Sequence, residues 1–120
     1  MKLSATQIGR AGEYYVCHLL EVAGIEVTRI DGRFDLLAVL PSGRLARIEV
    51  KTATRPSHGV SIYHKGGSAC DFWALYSVEA GVVRIVSNDS QYVKEKVIRV
   101  PQRDFTEDLA RQDIDALLAF

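Results

Sequence analysis

The sequence lacks the features that mark membrane, secreted and disulfide-stapled proteins. No apolar run approaches the roughly 18 residues that a membrane-spanning helix needs, and the stretch MKLSATQIGRAGE has neither the apolar core nor the cleavage site of a signal peptide. Only two cysteines occur, Cys17 and Cys70, outside any C-x-x-C pair, which argues against a disulfide framework or a zinc site. We therefore expect a cytoplasmic protein with free thiols and no membrane partner.

Net charge is also absent, because 15 Lys and Arg residues balance 15 Asp and Glu residues. The distribution is uneven: positions 29–65 carry seven basic residues against three acidic ones, and the segments on either side are net acidic. A basic centre can attract a polyanion even when the total charge is zero, since local fields steer association. A mixed solvated surface explains the same counts, so charge alone leaves both interpretations open.

What the 120-residue chain does contain is the pattern of a single α/β domain, residues 1–120. Apolar residues at helical spacing predict a helix over 6–23 that ends at Gly24, and a second helix over 106–120. Alternation and turn residues predict the strands between them. These strands cover 25–30, 34–40, 45–52, 60–63, 71–78, 82–86 and, as an edge strand, 97–100. The order α-β-β-β-loop-β-β-α predicts a mixed central β-sheet flanked by helices.

The stretch F-D-L-L-A-V-L-P-S-G-R-L-A-R-I-E-V-K-T (34–52) interrupts apolar strands with charged residues, which are costly to bury without partners. Asp35 opens one predicted strand. Glu49 and Lys51 lie two apart on the next strand, so their side chains share one face of the sheet. The turn Pro41-Ser42-Gly43 joins the two strands into a hairpin, which brings Asp35 beside Glu49.

Two carboxylates held this close repel each other, and a hard divalent cation with oxygen ligands relieves the repulsion. The backbone carbonyl of Val50 can add an oxygen ligand to those of Asp35 and Glu49. Lys51 then lies next to the metal, where its ammonium group can hold a water molecule and neutralise a phosphate oxygen. This combination is suited to phosphodiester hydrolysis.

The pattern D-x13-E-V-K-T behind a helix with Gly-Glu resembles the PD-(D/E)XK nuclease superfamily, and within it archaeal-type Holliday junction resolvases and endonucleases encoded in group I introns. The resemblance covers the helix G-R-A-G-E-Y-Y-V-C-H-L-L and the strands F-D-L-L, I-E-V-K-T and D-F-W-A-L-Y. It implies a restriction-endonuclease-like fold and a catalytic set of Asp35, Glu49, Lys51 and Glu13. In such families the helix glutamate, here Glu13, joins the metal site directly or through water. The resemblance also implies Mg²⁺- or Mn²⁺-dependent DNA cleavage that leaves 5′-phosphate ends.

Basic and imidazole side chains around this stretch are candidate contacts to the DNA backbone. They are Arg33, Arg44, Arg47, Arg55, His58, His64 and Lys65. A purely structural role is open for His58 and His64 as loop residues. It is also open for Asp71, which can start a strand or cap a turn.

Two functions follow from these patterns. The first is a metal-dependent endonuclease acting on branched or otherwise structured DNA, with a homodimer favoured because cutting two strands takes two sites. The second is a catalytically inactive nuclease-fold module that binds nucleic acid or a protein partner. The intact acidic set favours the first, since a binding module has no reason to keep a costly acidic cluster. An exposed Glu49–Lys51 pair on an edge strand would carry no chemistry and contribute little stability.

Overall fold

A computed structural model describes residues 2–30, 35–54, 60–63, 70–94 and 97–120, and for 60–63 it describes the backbone. The predicted DNA contacts Arg33, Arg55, His58, His64 and Lys65 lie outside the described residues. In chain order the elements are helix α1 (Ala5–Val22), strands β1 (Glu26–Ile30), β2 (Asp35–Val39), β3 (Leu45–Ala53), β4 (Val60–Tyr63), β5 (Phe72–Ser77), β6 (Val82–Ser87), β7 (Val93–Lys94) and β8 (Val97–Val100), a 3₁₀ turn (Gln102–Asp104), and helix α2 (Glu107–Ala119).

Local sequence signals account for both ends of α1. The Ser4 side chain accepts a hydrogen bond from the Gln7 backbone N–H at 3.2 Å, and the Gln7 side chain accepts one from the Ser4 N–H at 2.9 Å. This reciprocal capping satisfies N–H groups that the first helical turn leaves free. Gly24, with φ of +90°, follows the helix in the left-handed conformation that glycine favours. No helix in the described part of the chain is long and apolar enough to cross a membrane.

Five strands form the central sheet in the order β1-β2-β3-β5-β6. Every neighbouring pair is antiparallel except β3 and β5, which are parallel. The parallel pair requires a long crossover, and the chain passes through β4 on the way. The predicted mixed sheet is therefore confirmed, and β3 is an interior strand with a neighbour on each side. That position excludes the interpretation of Glu49 and Lys51 as an edge-strand pair.

The central sheet has a different cover on each face, because alternate residues of its strands enter two separate cores. Both helices pack on one face, where Val16 and Leu20 of α1 and Leu117 of α2 meet Ile48 and Val50. A second, three-stranded sheet in the order β4-β8-β7 contributes to the core on the other face. The buried residues there include Trp73, Leu75 and Val86 of the central sheet with Ile98 and Val100 of β8.

The prediction that 97–100 form an edge strand is wrong, because β8 lies between β4 and β7. Ile98 and Val100 are fully buried, as expected of a strand with a neighbour on each side. The two-residue strand β7 is too short to carry a recognisable alternation. The second sheet was accordingly not visible in the sequence.

A buried ion pair attaches α2 to the edge strand β6. The Nε atom of Arg84 donates to the Asp113 carboxylate at 2.6 Å, and the same carboxylate accepts the Ile85 backbone N–H at 2.8 Å. Arg84 also donates to the Asp104 carbonyl at 2.7 Å. Burial works to lower the pKa of Arg84, but its bonds to Asp113 and Tyr92 outweigh that effect and raise it. The helix thereby covers part of an otherwise open sheet edge.

Candidate active site

The β2–β3 hairpin sets Asp35 directly opposite Glu49. Its turn is closed by the hydrogen bonds Leu40 N–H to the Arg44 carbonyl at 2.9 Å and Gly43 N–H to the Leu40 carbonyl at 2.8 Å. Gly43 has a φ of +88°, a conformation that side chains disfavour. Because this turn fixes the register, Asp35 at the start of β2 pairs with Glu49 in the middle of β3, as the sequence predicted.

Glu49 and Lys51 lie on one face of the central sheet, and Ile48 and Val50 lie on the other. Val50 and Ile48 are buried in the core under the helices. Strand alternation therefore turns Glu49 and Lys51 to the opposite face, together with Asp35. The three differ in exposure, since Asp35 is buried, Glu49 half-buried and Lys51 exposed. The pair of carboxylates thus lies partly inside the fold, and the lysine lies at the surface beside it.

Asp35 is paired with Arg47 in this structure. The Nη2 atom of Arg47 donates to Oδ2 of Asp35 at 2.8 Å, with 31% of the arginine side chain and 6% of the aspartate side chain exposed. This hydrogen bond raises the pKa of Arg47, and the negative charge of Asp35 adds to the effect. Arg47 was predicted to contact DNA; here its guanidinium group neutralises a predicted metal ligand.

Asp71 has the structural role that the sequence left open. Its carboxylate accepts the Arg47 backbone N–H at 2.9 Å, and its own N–H donates to the Arg47 carbonyl at 2.8 Å. These two bonds extend the pairing of β3 with β5 by one residue before β5 begins. They also fix the backbone of Arg47, and with it the strand that carries Glu49.

Glu13 has a fully buried side chain on α1 and is paired with Arg29 of β1. The guanidinium group of Arg29 also donates to the Tyr14 hydroxyl at 3.0 Å and lies 4.8 Å from the centre of its ring. The hydrogen bond that Arg29 donates to the Glu13 carboxylate is the main cause that raises the pKa of Arg29. The second carboxylate oxygen of Glu13, Oε2, is buried and has no hydrogen-bond partner among the described residues.

The structure does not bring Glu13 together with the two strand carboxylates. Helix α1 packs on the face of Ile48 and Val50, which is opposite to that of Asp35 and Glu49. Within the described ranges, no group of three or more histidine, cysteine, aspartate or glutamate side chains is arranged to hold a metal ion. Of the three acidic residues in the predicted site, Asp35 and Glu49 therefore form a cross-strand pair, and Glu13 is buried apart from them.

Arg44 lies at the other end of the hairpin from Asp35. It precedes Leu45, which pairs with Val39, four positions along β2 from Asp35. At about 3.3 Å per residue this is roughly 13 Å from the carboxylate pair. Its guanidinium group lies 4.9 Å from the centre of the Phe120 ring. Any DNA contact of Arg44 would therefore be remote from the carboxylates.

The donor set of the cross-strand pair fits an oxygen-liganded divalent cation. Side chains directly opposite each other in an antiparallel pair have Cβ atoms about 4.5–5.5 Å apart, close enough for one ion to be shared. Carboxylate oxygens are the ligands that Mg²⁺ and Mn²⁺ prefer. Asp35 and Glu49 would hold the ion, and the Arg47 guanidinium is the group that now compensates the charge of Asp35.

Sequence reasoning missed the two arginines that neutralise the acidic residues. Arg29 was counted only as part of the basic centre, and Arg47 only as a DNA contact. In each case the acidic partner lies more than ten residues away along the chain, and no local periodicity connects the two. One signal was present for Arg47: it lies two residues before Glu49, so strand alternation puts it on the face of Asp35.

Among solved structures, the chain is similar to a bacterial homing endonuclease, I-Ssp6803I. The TM-score is 0.67, with 17% sequence identity, and the match covers 84% of this chain and 78% of that chain. No protein-family model matches the chain, and no curated protein matches its sequence. A likeness at this identity establishes the fold and does not transfer residue roles. The chain thus has a mixed α/β, nuclease-like fold of the kind found in a homing endonuclease.

Proposed function

We propose that this chain is a metal-dependent endonuclease of the PD-(D/E)XK type, which hydrolyses phosphodiester bonds in DNA and leaves 5′-phosphate ends. The observation that carries the proposal is the strand register, which puts Asp35 opposite Glu49 with Lys51 on the same face. The fold shared with a homing endonuclease supports it. We further propose that the preferred substrate is branched or structured DNA and that the working form is a homodimer.

Each residue of the site has a distinct task in this proposal. Asp35 and Glu49 hold the Mg²⁺ or Mn²⁺ ion, to which the Val50 carbonyl adds an oxygen ligand. The bound ion would polarise the scissile phosphate and lower the pKa of a water molecule. Lys51, exposed beside the carboxylates, orients the attacking water and neutralises charge that develops on the phosphate. The charged groups are fixed by β2 and β3, so little reorganisation is needed during the reaction.

Glu13 lies on the helix-covered face of the sheet, opposite to Asp35 and Glu49, so its task in this proposal is to hold α1 on β1 through Arg29 rather than to bind the ion. Its buried Oε2 atom has no hydrogen-bond partner among the described residues, which is costly for a carboxylate in a protein interior. A water molecule bonded to Oε2 would remove that cost. The ion pair with Arg29 holds the other oxygen in place.

A second candidate is a nuclease-fold module that binds nucleic acid or a protein partner without cutting. The observation that favours it is the pairing of both buried acidic residues with arginines, Asp35 with Arg47 and Glu13 with Arg29. In such a module these ion pairs would be permanent structural contacts. The exposed Lys51 and the half-buried Glu49 would then have no catalytic role.

Cleavage assays separate the two candidates. Labelled four-way junction, linear duplex, single-stranded DNA and RNA are incubated with the protein in EDTA, Ca²⁺, Mg²⁺ and Mn²⁺. We expect cutting of DNA only with Mg²⁺ or Mn²⁺, fastest on the junction, with products that a ligase rejoins because they carry 5′-phosphates. Asp35→Asn is the matched control, since it removes the negative charge and keeps the size of the side chain. DNA binding without cutting under every metal condition would favour the non-catalytic module.

A further inference from the structure

In this structure the positive group paired with the Asp35 carboxylate is a side chain of the protein itself, Arg47. The guanidinium group of Arg47 bonds Oδ2 at 2.8 Å, on the face that also carries Glu49 and Lys51. A buried carboxylate needs such a partner, since an unpaired charge is expensive in the interior. A divalent ion at the same carboxylate would bring two positive groups together, and they would repel each other.

The Arg47 side chain can move without disturbing the strand that carries it. Its backbone N–H and carbonyl are both bonded to Asp71, at 2.9 and 2.8 Å, and neither bond involves the guanidinium group. Its side chain is 31% exposed, so solvent can take up the guanidinium group once it leaves Asp35. A change of the Arg47 side-chain rotamer is therefore sufficient to free the Asp35 carboxylate.

We infer that Arg47 is a positioning residue that occupies the place of the divalent cation on Asp35 and must leave when the cation binds. This inference rests on the proposed function, because it concerns the ion that Asp35 and Glu49 would hold. In the metal-free protein Arg47 stabilises the buried Asp35 carboxylate and links β3 to β2. With the ion present, the free guanidinium group lies on the same face as Lys51, where it can bond a phosphate oxygen.

Mn²⁺ titration and thermal unfolding of the full chain test the exchange directly. Arg47→Ala should bind Mn²⁺ about tenfold more tightly than the parent, the size expected when one charge-assisted hydrogen bond no longer competes. In EDTA the same variant should unfold at a lower temperature, because Asp35 is left buried without a partner. Saturating Mn²⁺ should reduce this difference, since the ion then replaces the guanidinium group. Neither readout depends on catalysis.

Arg111→Ala is the matched control, because it also removes an arginine from an Arg–Asp pair. That pair, with Asp108 at 3.7 Å, is highly exposed on α2. The control should therefore bind Mn²⁺ as the parent does and unfold at nearly the same temperature. If Arg47→Ala does not fold, Arg47→Gln replaces it in the same experiment; it keeps a hydrogen-bond donor for Asp35 without the charge, and its Mn²⁺ affinity should also rise.

The outcomes distinguish this inference from the proposed function. If the parent binds Mn²⁺ and cuts DNA, and the Arg47 variants bind Mn²⁺ no more tightly, the inference is wrong and the proposed function stands. If neither the parent nor any Arg47 variant binds Mn²⁺ and no DNA is cut, both are wrong. Tighter Mn²⁺ binding by the Arg47 variants supports the inference even if the parent cuts none of the tested DNA substrates.

Discussion

Gly12 of α1 and Thr52 of β3 are packed so closely that a Cβ atom on Gly12 would lie 1.9 Å from Oγ1 of Thr52. A side chain on Gly12 would have to displace the Thr52 side chain, whose own Cβ atom lies only 3.1 Å from the added Cβ. The contact sets the distance between α1 and the strand that carries Glu49 and Lys51. Both residues are also sequence neighbours of predicted site residues, since Gly12 precedes Glu13 and Thr52 follows Lys51.

Gly12→Ala should therefore lower the free energy of unfolding by about 1–3 kcal/mol, the usual cost of overpacking a core. The sign of this change in the free energy of unfolding is informative. Alanine is a better helix former than glycine by about 1 kcal/mol, so the same substitution would stabilise an unobstructed helix position. Urea denaturation monitored by circular dichroism measures the change. An unchanged slope of the free energy of unfolding against urea concentration would indicate that the denatured state is unaffected.

Thr52→Ala combined with Gly12→Ala provides the control for this contact. Removing Oγ1 and Cγ2 takes away the nearest obstacle and leaves the Thr52 Cβ atom, 3.1 Å from the added Cβ. The double variant should thus recover part of the stability that Gly12→Ala loses, giving a coupling between the two positions. Strictly additive changes in the free energy of unfolding would contradict the close contact.

Local signals were sufficient to predict the parts of the fold that position Asp35, Glu49 and Lys51. A two-residue alternation fixes which face each strand residue takes, and the Pro-Ser-Gly turn fixes the register of the hairpin. Both are properties of neighbouring residues, and the structure confirms both in the pairing of Asp35 with Glu49. The helical periodicity of α1 was sufficient for the same reason.

The partners of the long side chains could not be predicted in this way. Arg29 reaches Glu13 only because α1 packs across β1, and Arg47 reaches Asp35 through a diagonal cross-strand contact. Arginine has many rotamers of similar energy, so its partner is decided by tertiary placement and not by spacing. The small second sheet escaped prediction similarly, since β8 is buried by partners that are distant in sequence.

The buried Glu13 gives a second prediction, on stability. Arg29→Ala should lower the unfolding temperature more than Arg111→Ala, because it leaves the fully buried Glu13 carboxylate without its partner, whereas Asp108 stays in water. Adding Glu13→Gln to Arg29→Ala should restore part of the loss, since it removes the unpaired charge. Differential scanning calorimetry measures all three variants. Equal unfolding temperatures for the two arginine variants would argue against a stabilising Glu13–Arg29 pair.

The proposed homodimer gives a third prediction. Light scattering at tens of micromolar protein should report twice the 13.3 kDa mass of the chain, because two active sites are needed to cut two strands. Adding junction DNA should not increase the number of protein chains per complex beyond two. A 13.3 kDa particle at all concentrations, with or without DNA, would contradict the dimer and paired cleavage with it.

Lys51 separates chemistry from binding, and its replacement is the last prediction. Lys51→Ala should lower the cleavage rate by about a hundredfold or more, the effect expected from losing a positioned charge in the transition state. DNA affinity, measured by gel shift in Ca²⁺ so that no cutting occurs, should stay near that of the parent. Lys94→Ala removes another exposed lysine, from β7, and should leave the cleavage rate unchanged. Glu49→Gln should also lower the cleavage rate, but with equal or higher DNA affinity, because a negative charge beside the phosphate is lost. A Lys51→Ala protein that cuts at the parent's rate would remove Lys51 from the site. If its DNA affinity fell as steeply as its rate, Lys51 would be a phosphate contact instead.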